Sequence, residues 1–456
     1  MWSVDEVVEA VQGVPFRIER RTFPGISTDS RDIGEGEFFV PITGKTFDGH
    51  LFIGAAYERS HGGALCEKGR KNILLDGADG AKGTIILVED TTQALLDLAR
   101  YKRVRTKGTF IALTGSNGKT TTKEILVRII GGVHPVHYNE KNYNNLIGVS
   151  KSILSIKGTP EFFVFELGTN IRGEIRQLAK VTEPDVALIT NINPSHLQGL
   201  GNLEGVLEEK LDLFRLTKEG GKVLVNADDP RLLSRYRDKG HDLRTFGIVN
   251  EADFRLTVDE DLGWDGYVFT INFSGDSVKA KTSLLGRHNL YNILSASSIA
   301  YVAGIDAIRI GEAVENFSPY GMRFRPVKSP KGYIVVDDSY NANPSSMEWA
   351  ISTLSGLPCP GKRIAIVGDM KELGEKTSYY HKELGRFLKK SGVDQIMLIG
   401  DEVKAAFTEL DDGRARLFES KPSLIDYAKK LLSDGDVVLV KGSRTAKMEE
   451  IVEALI

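Results

Sequence analysis

Thr114-Gly115-Ser116-Asn117-Gly118-Lys119-Thr120-Thr121 is the stretch on which the reading of this 456-residue chain turns. The apolar run Thr109 to Thr114 precedes it, and Ile125, Leu126, Ile129 and Ile130 follow at helical spacing. That order predicts strand, loop, helix, the setting a phosphate-binding loop requires. The spacing is not the common GxxxxGK[ST], which would want glycine where Leu113 stands. A tight glycine loop nevertheless turns backbone N–H groups toward phosphate oxygens, and the helix start adds about half a positive charge. Lys119 would neutralise β- and γ-phosphates, and the Thr120 hydroxyl would ligate Mg²⁺. The plain alternative is a glycine turn capping an unrelated helix.

Downstream, the short apolar runs Phe162 to Phe165, Val186 to Thr190 and Val223 to Val225 alternate with helical stretches. They predict a mostly parallel sheet covered on both faces. Glu166 directly follows one predicted strand and His196 comes a few residues after another, so both sit at carboxyl ends of strands, where an open parallel sheet carries its ligand crevice. The loop at Gly115 leaves from the same edge. A carboxylate and an imidazole beside a triphosphate are credible Mg²⁺ ligands, although magnesium prefers oxygen, and a lone histidine is as readily a hydrogen-bonded structural residue. The residues therefore point to Mg²⁺-dependent chemistry at the terminal phosphate of ATP, and leave the acceptor open.

A chain of this length should hold about three domains at roughly 100–200 residues each. The basic stretch Lys102 to Lys107 marks a boundary near residue 105, and a second is expected near 318. The predicted division is an N-terminal α/β domain over 1–104, a central P-loop parallel-sheet ATPase domain over 105–318 and a C-terminal Rossmann-like domain over 319–456. Short strands are expected at Glu37 to Pro41 and Thr84 to Val88 in the first domain. In the last, Ile334 to Val336, Ile364 to Val367, Ile396 to Ile399 and Val437 to Val440 read as buried strands. A formal net charge of -3 gives no global attraction for nucleic acid, so any anion site must be local. Cys66 and Cys359 lack CxxC spacing and read as two isolated buried thiols. MWSVDEVVEA is acidic where a signal peptide is basic, and no run approaches the ~18 apolar residues of a membrane span. A cytoplasmic monomer with no nucleic-acid or membrane partner is expected.

TGSNGKTTTKE, FELGTNIRGEI, TNINPSHLQGLGNLEGVLEEKLD, NADDP, LLGRHNLYNILSA and DDSYNANPSSM occur here in the order found in Mur ligases, and the resemblance spans nearly the whole chain. STDSR at Ser27 to Arg31, with FFVPITGKTFDGH after it, is similar to the UDP-binding N-terminal domain of that family. DDSYNANPSSM, GDMKELG and KGSR resemble the member that adds a dipeptide. The resemblance implies an ATP-dependent ligase that joins D-alanyl-D-alanine to UDP-N-acetylmuramoyl-tripeptide through an acyl phosphate, in peptidoglycan precursor synthesis. The family member adding the third amino acid, a folate-type polyglutamate ligase, and a nucleotide-gated non-catalytic binding protein are the alternatives.

The resemblance also implies roles for single residues. Lys210, in EEKLD, matches the lysine that Mur ligases carbamylate with CO₂, and would serve a second Mg²⁺ beside His196, with Thr120 and Glu166 at the first. Read alone, Lys210 is a solvated helix lysine. Asn226, His288, Asn289 and Asn292 match adenine and ribose contacts, where a turn or helix cap is the plain alternative. Arg323 and Asp338 match third-domain residues that reach the nucleotide on closure; otherwise they are a surface charge and a helix cap. Tyr340, Asn341 and Asn343 are expected to meet adenine or the dipeptide, and Ser30 and Arg31 the UDP, with a surface turn the alternative for the last two. Ser150 stands where the family has proline, and Gln198 where it has glutamate.

Overall fold

The computed structural model describes every residue except 45, 75–81, 237–239, 319–320 and 412. The chain divides into two compact units, one of residues 1–112, 134–168 and 174–185, the other of the remainder.

In the first unit, Ser3 and Glu6 form a reciprocal capping box that starts the helix Val4–Val11. A five-stranded sheet runs in the order Val14–Arg17, Thr84–Val88, Gly63–Glu67, Phe38–Phe39, Ile26–Ser27. All its pairings but the first are parallel. Ile33, Phe39, Ile53, Ala64, Cys66 and Ile85 pack into its core. The expected strand Glu37 to Pro41 shrinks to Phe38–Phe39. Cys66 is buried as expected, but Cys359 is only half-buried. The strand Phe162–Glu166 pairs in parallel with Val136–Tyr138, so Glu166 closes its strand rather than following it.

The basic stretch read as a boundary is the last turn of the helix Thr91–Arg105, begun by an Asp90 side chain that accepts from Gln93 N–H at 2.7 Å. Arg103 there is buried. Its guanidinium donates to the Thr182 carbonyl at 2.6 Å and the Glu183 carbonyl at 2.7 Å, and its carbon lies 3.5 Å from the centre of the Phe110 ring.

The strand Thr109–Thr114 carries the chain from the first unit into the second. In the second unit the strands Val186–Ile189, Lys222–Asn226, Asp242–Gly247 and Phe254–Asp261 pair in parallel, each with the next. Tyr267–Asn272 and Ser277–Thr282 complete that sheet antiparallel. The apolar-run reading missed this antiparallel edge because its burial alternates: Tyr267, Phe269 and Ile271 face inward and Val268 and Thr270 do not. A six-stranded sheet follows in the order Arg325–Lys328, Ile334–Asp338, Val437–Lys441, Arg363–Gly368, Gln395–Ile399, Ala415–Phe418. It is parallel except at its first pairing. Its four inner strands are those expected from apolar runs. The expected boundary after 318 adjoins residues 319–320, outside the described residues. Among the described residues, no helix is long and apolar enough to cross a membrane.

Arg103→Met should destabilise the protein by roughly 2–4 kcal/mol, because it strands two carbonyls that a charged donor now satisfies. Urea unfolding checks this, and a loss below about 0.5 kcal/mol would show that water replaces the guanidinium.

Candidate functional site

The expected order of strand, glycine loop and helix is present. The strand Thr109–Thr114 ends, Gly115 and Gly118 adopt φ +152° and +83°, and the helix Lys119–Gly131 begins. Both angles favour glycine, and space reinforces them: a Cβ at Gly115 would lie 1.8 Å from Thr190 Oγ1, and one at Gly118 2.1 Å from Asn292 Oδ1. The loop is set from outside by the segment after Val186–Ile189. Ser116 N–H donates to the Asn191 carbonyl (2.9 Å), Asn117 N–H to Asn191 Oδ1 (3.1 Å), and the Thr190 hydroxyl to the Asn117 carbonyl (2.6 Å). Ser116 Oγ exchanges hydrogen bonds with the Asn193 backbone at 2.8 Å. Thr190, Asn191 and Asn193 were not singled out from the sequence, although TNINPSH contains them. Lys119 folds over its own loop, donating to the carbonyls of Gly115 (2.6 Å) and Ser116 (3.3 Å).

The C-terminal sheet supplies two hands to this loop. Arg323 Nη2 donates to Thr120 Oγ1 at 3.0 Å, and its guanidinium lies 4.2 Å from the centre of the Tyr340 ring. Asn343 Nδ2 donates to Asn117 Oδ1 at 2.7 Å, while its own Oδ1 caps the helix Pro344–Gly356 by accepting from Ser346 N–H. Arg323 is therefore no free surface charge. Asp338 is no helix cap: it accepts from Phe324 N–H (3.1 Å) and pairs with the buried Lys441 (2.6 Å). Lys441, at the end of its own strand, also donates to the Asn341 carbonyl, and Asn341 Oδ1 accepts from Arg444 N–H.

Lys119, His196 and Lys210 come together. Lys210 lies on the helix Leu203–Arg215 and is 1% exposed, which excludes the solvated reading. Burial, then the charge of Lys119, drives its amine well below the usual lysine range, against the pull of Glu209. His196 is likewise held below the usual imidazole range by burial, although Glu372 opposes this; Lys119 and Lys210 add to the effect. Glu372 Oε2 approaches His196 Nδ1 to 2.6 Å. That contact is close but lies off the ring N–H direction, and it is not an aligned hydrogen bond.

Glu166 belongs to the first unit, where it is 2% exposed. Its Oε1 accepts from Asn144 Nδ2 at 2.8 Å, and its buried Oε2 has no hydrogen-bond partner among the described residues. Ser30 and Arg31 occupy the same unit. Arg31 is exposed and pairs with Asp29 at 2.8 Å, holding that carboxyl down at about 2, which is the geometry of a surface turn.

Asn226 is engaged within the fold, donating to the Thr190 carbonyl and accepting from Asp228 N–H, both at 2.9 Å. Asn289 donates to the Leu285 carbonyl and accepts from Asn292 Nδ2. Asn292 thereby joins the helix Arg287–Val302 to the loop at Gly118. His288 is buried, parallel to the Trp349 ring at 4° and 5.9 Å between centres, with no hydrogen-bond partner at Nδ1 among the described residues. Burial, and secondarily Lys441, pushes its imidazole down to about 4.

A glycine loop before a helix, a lysine across it, and an arginine delivered to the loop threonine define a P-loop nucleotide-binding α/β protein. Residues 113–300 match the Mur ligase middle domain, and residues 322–444 the Mur ligase glutamate ligase domain. The UDP-N-acetylmuramoyl-tripeptide–D-alanyl-D-alanine ligase of Bacillus subtilis is 32% identical over 100% of this chain and 98% of its own. MurF from Acinetobacter baumannii superposes with a TM-score of 0.89 at 28% identity, covering 100% of this chain and 98% of that one. MurF from Thermotoga maritima in complex with ADP gives 0.83 at 29%, covering 94% and 96%. The chain belongs to the Mur ligase family, and its fold is the three-domain α/β fold of that family.

The depressed His288 value has a definite sign. The unfolded chain takes up this proton near 6.5 and the folded one only near 4, so the stability from keeping the ring neutral is complete above about 6.5 and is lost as pH falls toward 4. Wild type should lose up to ~1.4 kcal/mol per pH unit more than His288→Leu across that window. Urea titrations at several pH values measure the difference, and parallel slopes would show that the ring is not held neutral.

Proposed function

We propose that the chain is the Mg²⁺-ATP-dependent amide ligase that adds D-alanyl-D-alanine to UDP-N-acetylmuramoyl-tripeptide in peptidoglycan precursor synthesis, acting as a cytoplasmic monomer with no nucleic-acid or membrane partner. The observation that carries this reading is the phosphate loop held by Arg323 and Asn343, in a chain alike over its full length to ligases so named. ATP transfers its γ-phosphoryl group to the peptide carboxylate, giving an acyl phosphate. The dipeptide amine attacks that carbonyl, the tetrahedral intermediate expels phosphate, and ADP and phosphate are released beside the amide. A carboxylate and a γ-phosphate ~4 Å apart repel by about 4 kcal/mol at an effective dielectric of 20, so cations are needed where they meet. Lys119 is the proposed cation of the loop, and Arg323 the one brought by the C-terminal module. Closure of that module excludes water from an acyl phosphate that would otherwise hydrolyse.

Several side chains fit the magnesium the family implies. Thr120 offers a hydroxyl, and Glu166 offers a buried carboxylate oxygen with no hydrogen-bond partner among the described residues, both suited to a hard cation. Bound magnesium would supply charge screening at the phosphates. His196 and Lys210 are proposed for a second ion. Lys210 fits carbamylation, since burial favours its neutral amine, whose lone pair attacks CO₂ to form an N–C bond with loss of a proton. The product is anionic beside Lys119, which relieves the repulsion between two cations. The proposed domains remain 1–104 for the UDP substrate, 105–318 for ATP and 319–456 for closure. Ser30 and Arg31 are proposed for the UDP, Asn226, His288, Asn289, Asn292 and Asp338 for the nucleotide, and Tyr340, Asn341 and Asn343 for the dipeptide or adenine.

A panel of UDP-muramoyl peptides and amines, read by phosphate release and product mass, tests the reaction. Amide formation with D-Ala-D-Ala, abolished by Lys119→Ala, is expected; turnover with a diamino acid and none with D-Ala-D-Ala would move the chain to the step before. Lys210→Ala should lose at least about 100-fold in turnover, on the order of 2.7 kcal/mol, and recover in part with added short carboxylic acids, while Lys210→Glu keeps activity. Normal turnover of Lys210→Ala would remove the carbamate.

A further inference from the structure

The C-terminal module makes a second grip on the central one, at the segment that carries His196. The loop after the strand Arg363–Gly368 is fixed at its base. The Asp369 carboxylate accepts from the N–H groups of Glu402 (3.0 Å) and Val403 (2.9 Å) and pairs with Lys371 (2.9 Å). His381 Nε2 accepts from Met370 N–H at 3.1 Å, its Nδ1 faces the Thr377 carbonyl at 2.8 Å, and Met370 and Leu373 are buried. That base presents Glu372 at φ +66°, in the left-handed region. Such a conformation costs a non-glycine residue on the order of 1–3 kcal/mol and persists only where its surroundings over-determine it.

From this position Glu372 holds the facing segment twice. Its carbonyl accepts from Gln198 N–H at 3.0 Å, and its carboxylate lies 2.6 Å from His196 Nδ1. His196 is itself left-handed at φ +50°. A Cβ built on Gly374 would lie 3.2 Å from Gln198 Cα, so the two loops lie directly against each other. A loop that merely covered the site would have no need of two strained residues at one contact. The off-axis approach to Nδ1 is the kind that straightens when bound substrate completes a site.

We propose that Glu372 is a positioning residue: delivered by closure of the C-terminal module, it anchors the His196 imidazole through Nδ1, keeps the ring proton on that nitrogen and leaves the Nε2 lone pair for the site. A carboxylate on one ring nitrogen sets tautomer and orientation at the other. The proposal rests on the ligase reading for the task of His196, whereas the contact between the loops does not. The Glu372 side chain is 52% exposed, so its truncation opens no buried cavity.

The test compares full-length wild type with Glu372→Ala, Glu372→Gln, His196→Asn and the double variant Glu372→Ala/His196→Asn. Phosphate release gives kcat and the KM for ATP, and hydrogen exchange follows residues 195–201. Glu372→Ala should lower kcat about 10–100-fold, with the KM for ATP within about threefold. Glu372→Gln, which keeps an acceptor oxygen, should return to within about fivefold of wild type. The alanine change should cost nothing further once His196 is Asn, and exchange over 195–201 should quicken at least about threefold in Glu372→Ala. Additive losses in the double variant, glutamine no better than alanine, or unchanged exchange would each overturn the assignment. A wild type without ligase turnover would sink the ligase reading alone, because exchange is read without turnover.

Discussion

Everything proposed for this protein depends on a backbone that approaches its neighbours more closely than any side chain permits. At Gly115 and Gly118 the chain turns through positive φ with Thr190 Oγ1 and Asn292 Oδ1 where a methyl group would be. The loop is therefore shaped from two sides, by Thr190, which directly follows the strand Val186–Ile189, and by the helix that carries Asn292. The loop leads directly into the start of the helix Lys119–Gly131, the end of a helix that favours an anion. Rigidity matters because a phosphate-binding loop that had to order itself on binding would lose part of its affinity to that ordering.

Charge follows from burial around this loop. Lys119 sits across the loop carbonyls, and Lys210 lies fully buried close enough to feel it. Two cations so placed disfavour each other and disfavour a proton on His196. A site of this kind seeks anions, whether phosphate, carboxylate or a lysine converted to a carbamate. The lowered Lys210 amine and His196 imidazole are consequences of a low-dielectric location and not of the residue types themselves.

The C-terminal module then contributes chemistry as well as cover. Arg323 reaches Thr120, Asn343 reaches Asn117, and Glu372 reaches His196. Each comes from a different segment of that module, and each meets a residue at or near the loop or on the segment after Val186–Ile189. One module thus supplies an arginine, an amide and a carboxylate to the loop and the segment beside it.

The chain's own order of residues determined the strand–glycine loop–helix unit, because hydrophobic periodicity and glycine are local signals that packing of the flanking elements only reinforces. The buried parallel strands of the last sheet were legible for the same reason: Ile364 to Val367 and Val437 to Val440 are apolar on both faces. The antiparallel edge from Phe254 to Thr282 was not, since alternating half-burial looks like mixed polarity until a partner face is known. The family motifs pointed to Lys210, but only the packed helix decided that it is a buried, neutral-leaning amine and not a solvated one. Tertiary structure alone revealed Thr190, Asn191 and Asn193 as the mould of the loop, and Glu372 beside His196. These are contacts between residues more than 70 positions apart in the first case and more than 170 in the second, and no local pattern of sequence records a distance that only folding creates.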